Sequence, residues 1–296
     1  MALSLIIKRF ALVKAPRFFR GKFQIMYWIL LSNCRRLALG GERIVRVEKV
    51  EWIYKGEKIW LFRLELSDGI FWVQNVSRIS RFIGGRQRSF ERICEIYYLN
   101  QSNLQDFLSK EDLVVFDVGA NIGEFTFGFI DKRPNSQVFA FEPDPIAFEC
   151  LKRNISELKL EEKVFAMPFA LTTEESEVNF FRAYEEADSS LIPPLAKSKL
   201  IRVRGRRLDA ILMELDLDFV DLIKMDAEGS EPEVLIGLGK GLQNVNMLTI
   251  DVGAERLGVD SEDEVKAILQ PFDFSIDVIN SLNDRRILLA KAKGSG

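Results

Sequence analysis

Apolar and polar residues follow two different patterns along the chain. Between residues 44 and 73 the apolar positions recur every second residue, in three runs separated by turn-forming residues at 55–57 and 67–69. This period is typical of half-buried strands, so the segment predicts a three-stranded antiparallel meander. A sheet this small needs a covering layer, and the helical spacing of residues 89–108 predicts that layer.

Beyond residue 110 the pattern changes to short apolar runs that alternate with helical segments. The predicted buried strands are residues 114–118, 137–141, 164–171, 219–226 and 245–252. The predicted helices are residues 145–158, 208–213 and 262–269. An inserted hairpin is predicted at 177–182 and 201–203, and a closing hairpin at 274–279 and 286–290. This alternation predicts an α/β fold around a mostly parallel sheet.

The two patterns predict two parts of the molecule. Residues 1–110 form a small basic N-terminal α+β appendage, and residues 111–293 form the α/β domain. A chain of 296 residues is long for one core, which agrees with this division. Residues 185–191 are polar and without periodicity, and they are either a lid over a substrate or a plain surface loop.

The N-terminal segment of residues 1–41 contains eight lysines and arginines and no acidic residue. One interpretation is a basic amphipathic helix that lies on an anionic membrane or a partner. The other is a set of helices packed on the core with their basic side chains in solvent. The apolar run at 23–31 is too short to span a bilayer, and the segment lacks the pattern of a secretory signal.

A second basic cluster precedes the predicted covering helix. Its members are Arg78, Arg81, Arg86 and Arg88. These side chains either contact an acidic acceptor or belong to the solvated surface, and the second interpretation is favoured.

Composition excludes several classes of function. The net charge of −3 favours no nucleic-acid partner. Cys34, Cys94 and Cys150 are far apart in the sequence and form no paired motif, which predicts reduced thiols in a cytoplasmic protein. The chain contains no histidine, so catalytic triads with histidine and metal sites with histidine ligands are excluded.

The turn after the first buried strand predicts a nucleotide-type pocket. Gly119 and Gly123 allow a sharp turn and a close approach of the backbone to a ligand. A dinucleotide fingerprint would need glycines where the chain has Asn121 and Glu124, and a glutamate there repels a pyrophosphate. A ligand with a cationic centre and no phosphate fits better, and S-adenosylmethionine is such a ligand. Glu142 ends the next strand, where an acid usually binds the two ribose hydroxyls.

A cluster of acids follows the strand predicted at residues 219–226. Asp226, Glu228 and Glu231 crowd one turn, and their mutual repulsion predicts a cation nearby. Lys224, on the same strand face as Asp226, is the candidate within the chain; the sulfonium of the cofactor and an added divalent cation are the others. Glu231 is also explained by the helix dipole, because it stands at a predicted helix start.

Three segments together resemble the FkbM-type methyltransferases. They are DVGANIG at 117–123, FEP at 141–143 and LIKMDAEGSE at 222–231, and RLD at 207–209 is similar as well. The resemblance covers roughly residues 114–291 and implies a Rossmann-like, seven-stranded class I methyltransferase sheet with methyl transfer to a hydroxyl oxygen. Where the family usually has an acid followed closely by histidine or asparagine, this chain has Asp251 and Glu255. The residues assigned to the cofactor are Asp117, Gly119, Ala120, Asn121, Gly123, Glu142, Pro143 and Ala170.

The sequence therefore predicts an S-adenosylmethionine-dependent O-methyltransferase that acts on a sugar, a glycolipid or another small-molecule acceptor. Asp226, Glu228 and Lys224 are the catalytic candidates, with a divalent cation as an open alternative to a carboxylate base. Two other functions are weighed against it. One is a non-catalytic binding protein that keeps the fold, and the other is an NAD-type oxidoreductase.

Overall fold

The computed structural model describes residues 22–39, 41–97, 112–183, 189–193, 198–256, 258–281 and 285–293. The appendage begins with helix α1 (Lys22–Leu39) and continues with strands β1 (Ile44–Tyr54), β2 (Glu57–Leu66) and β3 (Gly69–Val73). These strands pair in the order β1-β2-β3, all antiparallel, so the predicted meander is confirmed. A 3₁₀ turn (Ser77–Phe82) and helix α2 (Arg86–Ile96) follow it.

Helix α2 begins three residues before the predicted start of the covering helix. Gly85 precedes it with φ +85°, and the Asp68 carboxylate accepts hydrogen bonds from the backbone N–H groups of Arg86 and Gln87. An acid from a neighbouring turn thus caps a helix that has no capping side chain of its own. The rest of the predicted helix and the predicted domain boundary at residue 110 lie outside the described residues.

The α/β domain is built on a seven-stranded sheet. Its strands are β4 (Val114–Val118), β5 (Gln137–Phe141), β6 (Val164–Met167), β10 (Val220–Met225), β11 (Val245–Asp251), β12 (Phe274–Asn280) and β13 (Arg286–Ala292). Their order in the sheet is β12-β13-β11-β10-β4-β5-β6. Strands β6, β5, β4, β10 and β11 are parallel, and β13 runs antiparallel to β11. The predicted Rossmann-like class I architecture is confirmed, and it brings the carboxyl ends of β4, β5 and β10 to one edge of the sheet.

Helices cover both faces of this sheet. They are α3 (Glu124–Lys132), α4 (Pro145–Leu158), α5 (Leu208–Glu214), α6 (Glu231–Leu238) and α7 (Glu262–Leu269), with a 3₁₀ turn at Gly239–Asn244. The helices predicted before β10 and after β11 are confirmed as α5 and α7.

The strand predicted at residues 164–171 is wrong as one element. The structure divides it into β6 in the main sheet and β7 (Ala170–Leu171) in a separate sheet, with Pro168 between them. Proline has no N–H to donate to a sheet ladder, which explains why the run breaks there. Strand β7 pairs with β9 (Ser198–Arg206), which pairs with β8 (Ser176–Ala183) as the predicted inserted hairpin.

One hydrophobic cluster passes from the appendage into the domain. Phe71 of β3 and Phe90 of α2 contact Phe127 of α3, with ring centroids 5.9 Å and 5.8 Å apart. The buried Asn154 of α4 accepts a hydrogen bond from the Trp72 backbone N–H and donates one to the Trp72 carbonyl. The appendage is therefore docked firmly against helices α3 and α4, where it forms part of the wall beside the site.

Candidate active site

The loop after β4 is shaped by close backbone packing. Gly119 has φ +72°, and a Cβ atom there would lie 1.9 Å from the Asp226 carbonyl oxygen. Asn121 also has a positive φ, of 53°, and its side-chain oxygen accepts a hydrogen bond from Gln74 of the appendage. Only glycine fits at position 119, because the loop lies directly against the end of β10.

Two predicted site residues, Asp117 and Lys224, hold this loop from beneath. The register of β4 with β10 places Lys224 beside Asp117, and the Lys224 Nζ is 3.0 Å from Asp117 Oδ1. The same ammonium donates to the carbonyl oxygens of Val118 and Gly119, and Thr126 donates to the other Asp117 oxygen. Asp117 is fully buried and supports the loop from beneath, and its assignment to the cofactor stays a prediction.

Gly123 turns the chain into helix α3, and its assignment to the cofactor stays a prediction. It is the residue before this helix, with φ +93°, and a Cβ atom there would lie 2.3 Å from the Phe127 ring. Its glycine is required because the chain must turn tightly into α3 against a buried aromatic side chain.

Glu142 lies at the carboxyl end of β5 and organises the loop between the two strands. One carboxylate oxygen accepts from the Asn121 backbone N–H at 2.7 Å, and the other accepts from the Asp144 N–H at 2.8 Å. Burial, together with the nearby Asp144 carboxylate, raises the pKa of Glu142 to about 8. The group is thus a buried acceptor that a pair of hydroxyl donors would stabilise in its charged form.

One cavity of about 610 Å³ connects the glycine loop to the acid cluster. The predicted site residues that line it are Gly119, Ala120, Asn121, Glu142, Pro143, Ala170, Lys224, Asp226 and Glu228. Its appendage wall comes from α1, the 3₁₀ turn and α2, and Ser189 and Leu191 reach it from the segment predicted as lid or loop. Ser190, between them, donates a hydrogen bond to the Glu228 carbonyl oxygen. The remainder of that segment, residues 184–188, lies outside the described residues.

Asp226 is held by two partners that the sequence did not indicate. Its Oδ2 accepts from the Tyr97 hydroxyl at 2.6 Å and from Arg285 at 2.9 Å. Arg285 also bridges to the buried Asp251, at 2.5 Å. Burial alone would raise the pKa of Asp226, but Arg285, Lys224 and the Tyr97 hydrogen bond outweigh it and hold that pKa well below its usual range.

This arrangement corrects the predicted partner of the acids. Arg285 forms the direct ion pair with Asp226, whereas the Lys224 ammonium is bonded to Asp117 and to loop carbonyls. Lys224 influences Asp226 only through its charge. Tyr97 and Arg285 come from distant parts of the chain, and no local motif marks either of them.

Glu255 is a third carboxylate of the cluster that the sequence analysis did not select. One oxygen each from Asp226, Glu228 and Glu255 lie within 4.8 Å of one another. Burial and the surrounding acids, Glu228 first among them, raise the pKa of Glu255 to about 11. One oxygen of Asp226 and one of Glu255 are buried without a hydrogen-bond partner among the described residues. The sequence feature that could have identified Glu255 is its position, because it lies just after Asp251, where the family usually has histidine or asparagine.

Glu231 belongs to the turn and not to the reacting centre. Its Oε1 accepts hydrogen bonds from the backbone N–H groups of Ala227 and Gly229. The side chain is fully buried, and burial raises its pKa to about 7. It closes the turn at the start of α6, which agrees with the interpretation of Glu231 as a helix-start acid.

The second basic cluster is not simply solvated surface. Arg78 and Arg81 both approach the same oxygen of Glu124, at 3.7 Å and 3.0 Å, and both line the cavity. Arg88 is exposed and pairs with Glu91 of the same helix. The favoured interpretation is therefore wrong for the buried Arg78, whereas Arg81 pairs with Glu124 and remains exposed to solvent.

Residues 117–276 match the family model described as the methyltransferase FkbM domain. The match covers more than half of the chain and includes the glycine loop, Glu142 and the acid cluster. The chain belongs to the FkbM methyltransferase family. The resemblance of the three sequence segments is thereby confirmed.

Two curated relatives match about half of the chain. This chain is 30% identical over 146 residues to 2-O-methyltransferase NoeI of Sinorhizobium fredii, and the alignment covers 44% of this chain and 59% of NoeI. It is 29% identical over 160 residues to hexuronic acid methyltransferase AglP of Haloferax volcanii, and the alignment covers 54% of this chain and 63% of AglP. The chain thus spans about three fifths of the length of these relatives.

Among solved structures, methyltransferase FkbM from Methylobacillus flagellatus KT aligns with 73% of this chain and 54% of its own. The TM-score is 0.47 and the sequence identity is 21%.

Proposed function

We propose that this protein is an S-adenosylmethionine-dependent O-methyltransferase for a hydroxyl of a sugar, a glycolipid or another small molecule. The observation that carries the proposal is the continuous cavity between the glycine loop with Glu142 and the carboxylates of Asp226 and Glu228. A relative named as a 2-O-methyltransferase supports oxygen as the methylated atom, and a relative named as a hexuronic acid methyltransferase supports a sugar-type acceptor. The absence of a nucleic-acid partner stays a prediction from the charge of the chain.

The cavity fits the proposed cofactor in three respects. Gly119 leaves the backbone bare where a ligand has to approach closely. Glu142 offers buried carboxylate oxygens suited to ribose hydroxyls, and Pro143 and Ala170 line the cavity beyond it. When bound, the cofactor supplies an electrophilic methyl group. The protein's contribution is to hold the acceptor hydroxyl in line with that group and to exclude water.

The acid cluster supports two versions of the proton chemistry. In the first, Glu228 accepts the proton of the acceptor hydroxyl as the oxygen attacks, while Asp226 stays ionised against Arg285 and favours positive charge in the cavity. In the second, Asp226, Glu228 and Glu255 hold a divalent cation, which lowers the pKa of the hydroxyl. A cation would also offset the burial and the repulsion from neighbouring acids that together raise the pKa of Glu255.

The proposal is tested by incubating the protein with labelled S-adenosylmethionine and a fractionated host extract. We expect label to appear in an acceptor of low molecular mass, as a methyl ether. Glu228→Gln and Asp226→Asn should each lower turnover roughly a hundredfold while S-adenosylhomocysteine affinity stays within a factor of about three. EDTA should silence the enzyme, with recovery in Mg²⁺ or Mn²⁺, only in the cation version.

Asp263→Asn is the control, because it removes an exposed carboxylate from α7, away from the cavity. Normal turnover in both Glu228→Gln and Asp226→Asn would show that these acids are structural. Calorimetry separates the other two functions: a non-catalytic scaffold would bind S-adenosylhomocysteine without turnover, and an oxidoreductase would bind NAD.

A further inference from the structure

A second groove, of about 390 Å³, lies where the appendage, helix α4 and the inserted hairpin meet. The appendage contributes the end of strand β1, with the rings of Trp52 and Tyr54. The inserted hairpin contributes the charged side chains of Glu177, Arg202 and Arg204. Sites for small molecules have volumes of roughly 300 to 1,000 Å³, so this aromatic groove is large enough for a ligand.

Trp52 and Tyr54 form a stacked aromatic pair along one side of the aromatic groove. They are two residues apart in β1, so their side chains point to the same face of the meander. Their ring centroids are 5.1 Å apart, with an angle of 24° between the ring planes. Both side chains are half-buried, so each keeps part of its surface accessible. Pro143, Pro145 and Phe148 continue the apolar lining at the start of α4.

Hydrogen-bonding groups border this apolar surface. Arg202 is exposed and donates a hydrogen bond to the Glu177 carbonyl oxygen at 2.8 Å, and both residues line the groove. Arg204 is also exposed, and its guanidinium lies 5.4 Å from the centroid of the Phe169 ring. A sugar ring matches this combination, because its C–H groups stack on an aromatic face while its hydroxyls donate and accept hydrogen bonds at the edge.

The aromatic groove adjoins the cavity that contains the glycine loop and the acid cluster. Pro143 lines both spaces, and it follows Glu142, the proposed ribose ligand, directly. Phe169 lines the cavity, and Arg204 on its ring lines the groove. A molecule in the groove would therefore lie next to the proposed active site and not on a remote surface.

We infer that the aromatic groove binds a further sugar unit of the acceptor, beside the unit whose hydroxyl is methylated. The inference rests on the proposed function, because it narrows the acceptor to molecules with at least two linked sugar units. Trp52 and Tyr54 supply the stacking surface. Arg202 and Glu177 supply a donor and an acceptor for the hydroxyls. The appendage thereby contributes to the choice of acceptor.

Two substitutions in the same meander separate this role from a structural one. Tyr54→Thr removes a ring of the groove and keeps a β-branched residue that suits a strand, whereas Trp52 also packs against the hydrophobic core. Trp60→Thr is the matched control, because Trp60 is an aromatic residue of the same sheet that is 41% exposed. It pairs with Glu51, the residue before Trp52, so it points to the opposite face.

The full chain, saturated with S-adenosylhomocysteine, is applied to a printed array of neutral and acidic mono-, di- and trisaccharides and a single-stranded RNA oligomer. Calorimetry then compares the oligosaccharide that is bound best with its component monosaccharides. The wild type and Trp60→Thr should prefer the oligosaccharide. Tyr54→Thr should reduce that preference roughly three- to tenfold, the scale of one aromatic contact, and leave monosaccharide binding unchanged.

Arg202→Gln is a second variant, at an exposed position of the inserted hairpin, and it should give the same selective loss. Tyr54→Thr and Arg202→Gln proteins that match Trp60→Thr with every sugar would overturn the inference. A wild type that binds S-adenosylhomocysteine but no oligosaccharide would overturn it too, as would a preference for the RNA oligomer over every sugar. Failure of the wild type to bind S-adenosylhomocysteine at all would instead contradict the proposed function.

Discussion

Glu142 is the residue whose titration most directly reports on the cofactor. In the free protein its pKa is about 8, because burial and Asp144 disfavour the charged form. Ribose hydroxyls would donate to the carboxylate and favour its charged form, so binding should lower this pKa. We therefore expect the affinity for S-adenosylhomocysteine to increase by up to tenfold per pH unit between about pH 6 and pH 8, and then to level off.

Calorimetry at several pH values measures this dependence, with Glu142→Gln as the variant that cannot titrate. That variant should bind about 1.5 to 3 kcal/mol more weakly above pH 8, the scale of hydrogen bonds to a charged group, and its affinity should not change with pH. Glu161→Gln, an exposed position after α4, serves as the control. A wild-type affinity that is constant from pH 6 to pH 8 would refute the ribose assignment.

The sequence predicted the residues of the glycine loop and Glu142 better than it predicted the residues around the acid cluster. Gly119 and Glu142 stand at strand ends inside a βαβ pattern, so local spacing is enough to locate them. The partners of Asp226 come from 129 residues before it and 59 residues after it, at Tyr97 and Arg285. Nothing in a local pattern distinguishes these two side chains from others of their type, and only the packed tertiary structure brings them together.

Helix α1 exposes large apolar side chains on its outer face, where a helix on a protein surface usually has polar ones. Trp28 and Leu31 are buried on its inner face, whereas Phe23, Met26, Leu30 and Leu37 are 64% to 89% exposed. These four positions are separated by three, four and seven residues, so they form one stripe along the helix. No described helix is long and apolar enough to cross a membrane.

We propose that the protein is cytoplasmic and that this stripe lies on the anionic lipid surface at the inner face of the membrane. Charge complementarity supports this proposal, because residues 1–41 contain eight lysines and arginines and no acidic residue, and basic residues are attracted to anionic lipids. The protein should sediment with phosphatidylserine-containing vesicles and be released by salt. Met26→Glu with Leu30→Glu should reduce the bound fraction at least tenfold, since burial of each apolar side chain contributes about 1.5 to 3 kcal/mol.

Met213→Glu is the control, because it changes an exposed apolar side chain on α5, far along the chain from α1. Protein that stays in the supernatant even at low salt would refute this proposal.

Most elements could be predicted from the sequence, and the exceptions have local physical causes. Strands β4, β5, β10 and β11 are mostly apolar runs whose length and flanking turns leave few alternatives. The break between β6 and β7 comes from Pro168. The apolar residues at 164–171 form one run in the sequence, but proline has no backbone N–H to donate to a sheet, so the strand cannot continue through it. The earlier start of α2 depends on Asp68, an acid that belongs to another turn.

At the scale of the whole molecule, the appendage and the α/β domain share a core, a cavity and an ion pair. Arg81 of the appendage bonds Glu124 of the domain, and Tyr97 bonds Asp226. The two-part division that the sequence pattern predicts thus does not describe two independent units at the site. Binding in the cavity should therefore stabilise both parts together, because its walls come from both.

The buried acids also set how the stability of the whole molecule depends on pH. Burial raises the pKa of Glu142 to about 8 and that of Glu231 to about 7, against 4.5 for an ordinary glutamate. Between about pH 4.5 and pH 8 the folded protein therefore holds protons that the unfolded chain has released. Because the folded state then binds more protons, the free energy of unfolding should fall as pH rises through this window, by up to roughly 7 kcal/mol for these two groups together.

Urea unfolding of the ligand-free protein at pH 5.5, 7 and 8.5 measures this dependence. Glu231→Gln should flatten the part of the decrease below about pH 7, because glutamine cannot ionise and its oxygen can still accept from Ala227 and Gly229. Asp226 and Glu124, whose pKa values are lowered, act in the opposite sense and only at more acidic pH. A free energy of unfolding that increases steadily from pH 5.5 to pH 8.5 would mean that the buried acids are ionised in the folded protein, with a counter-charge beside them.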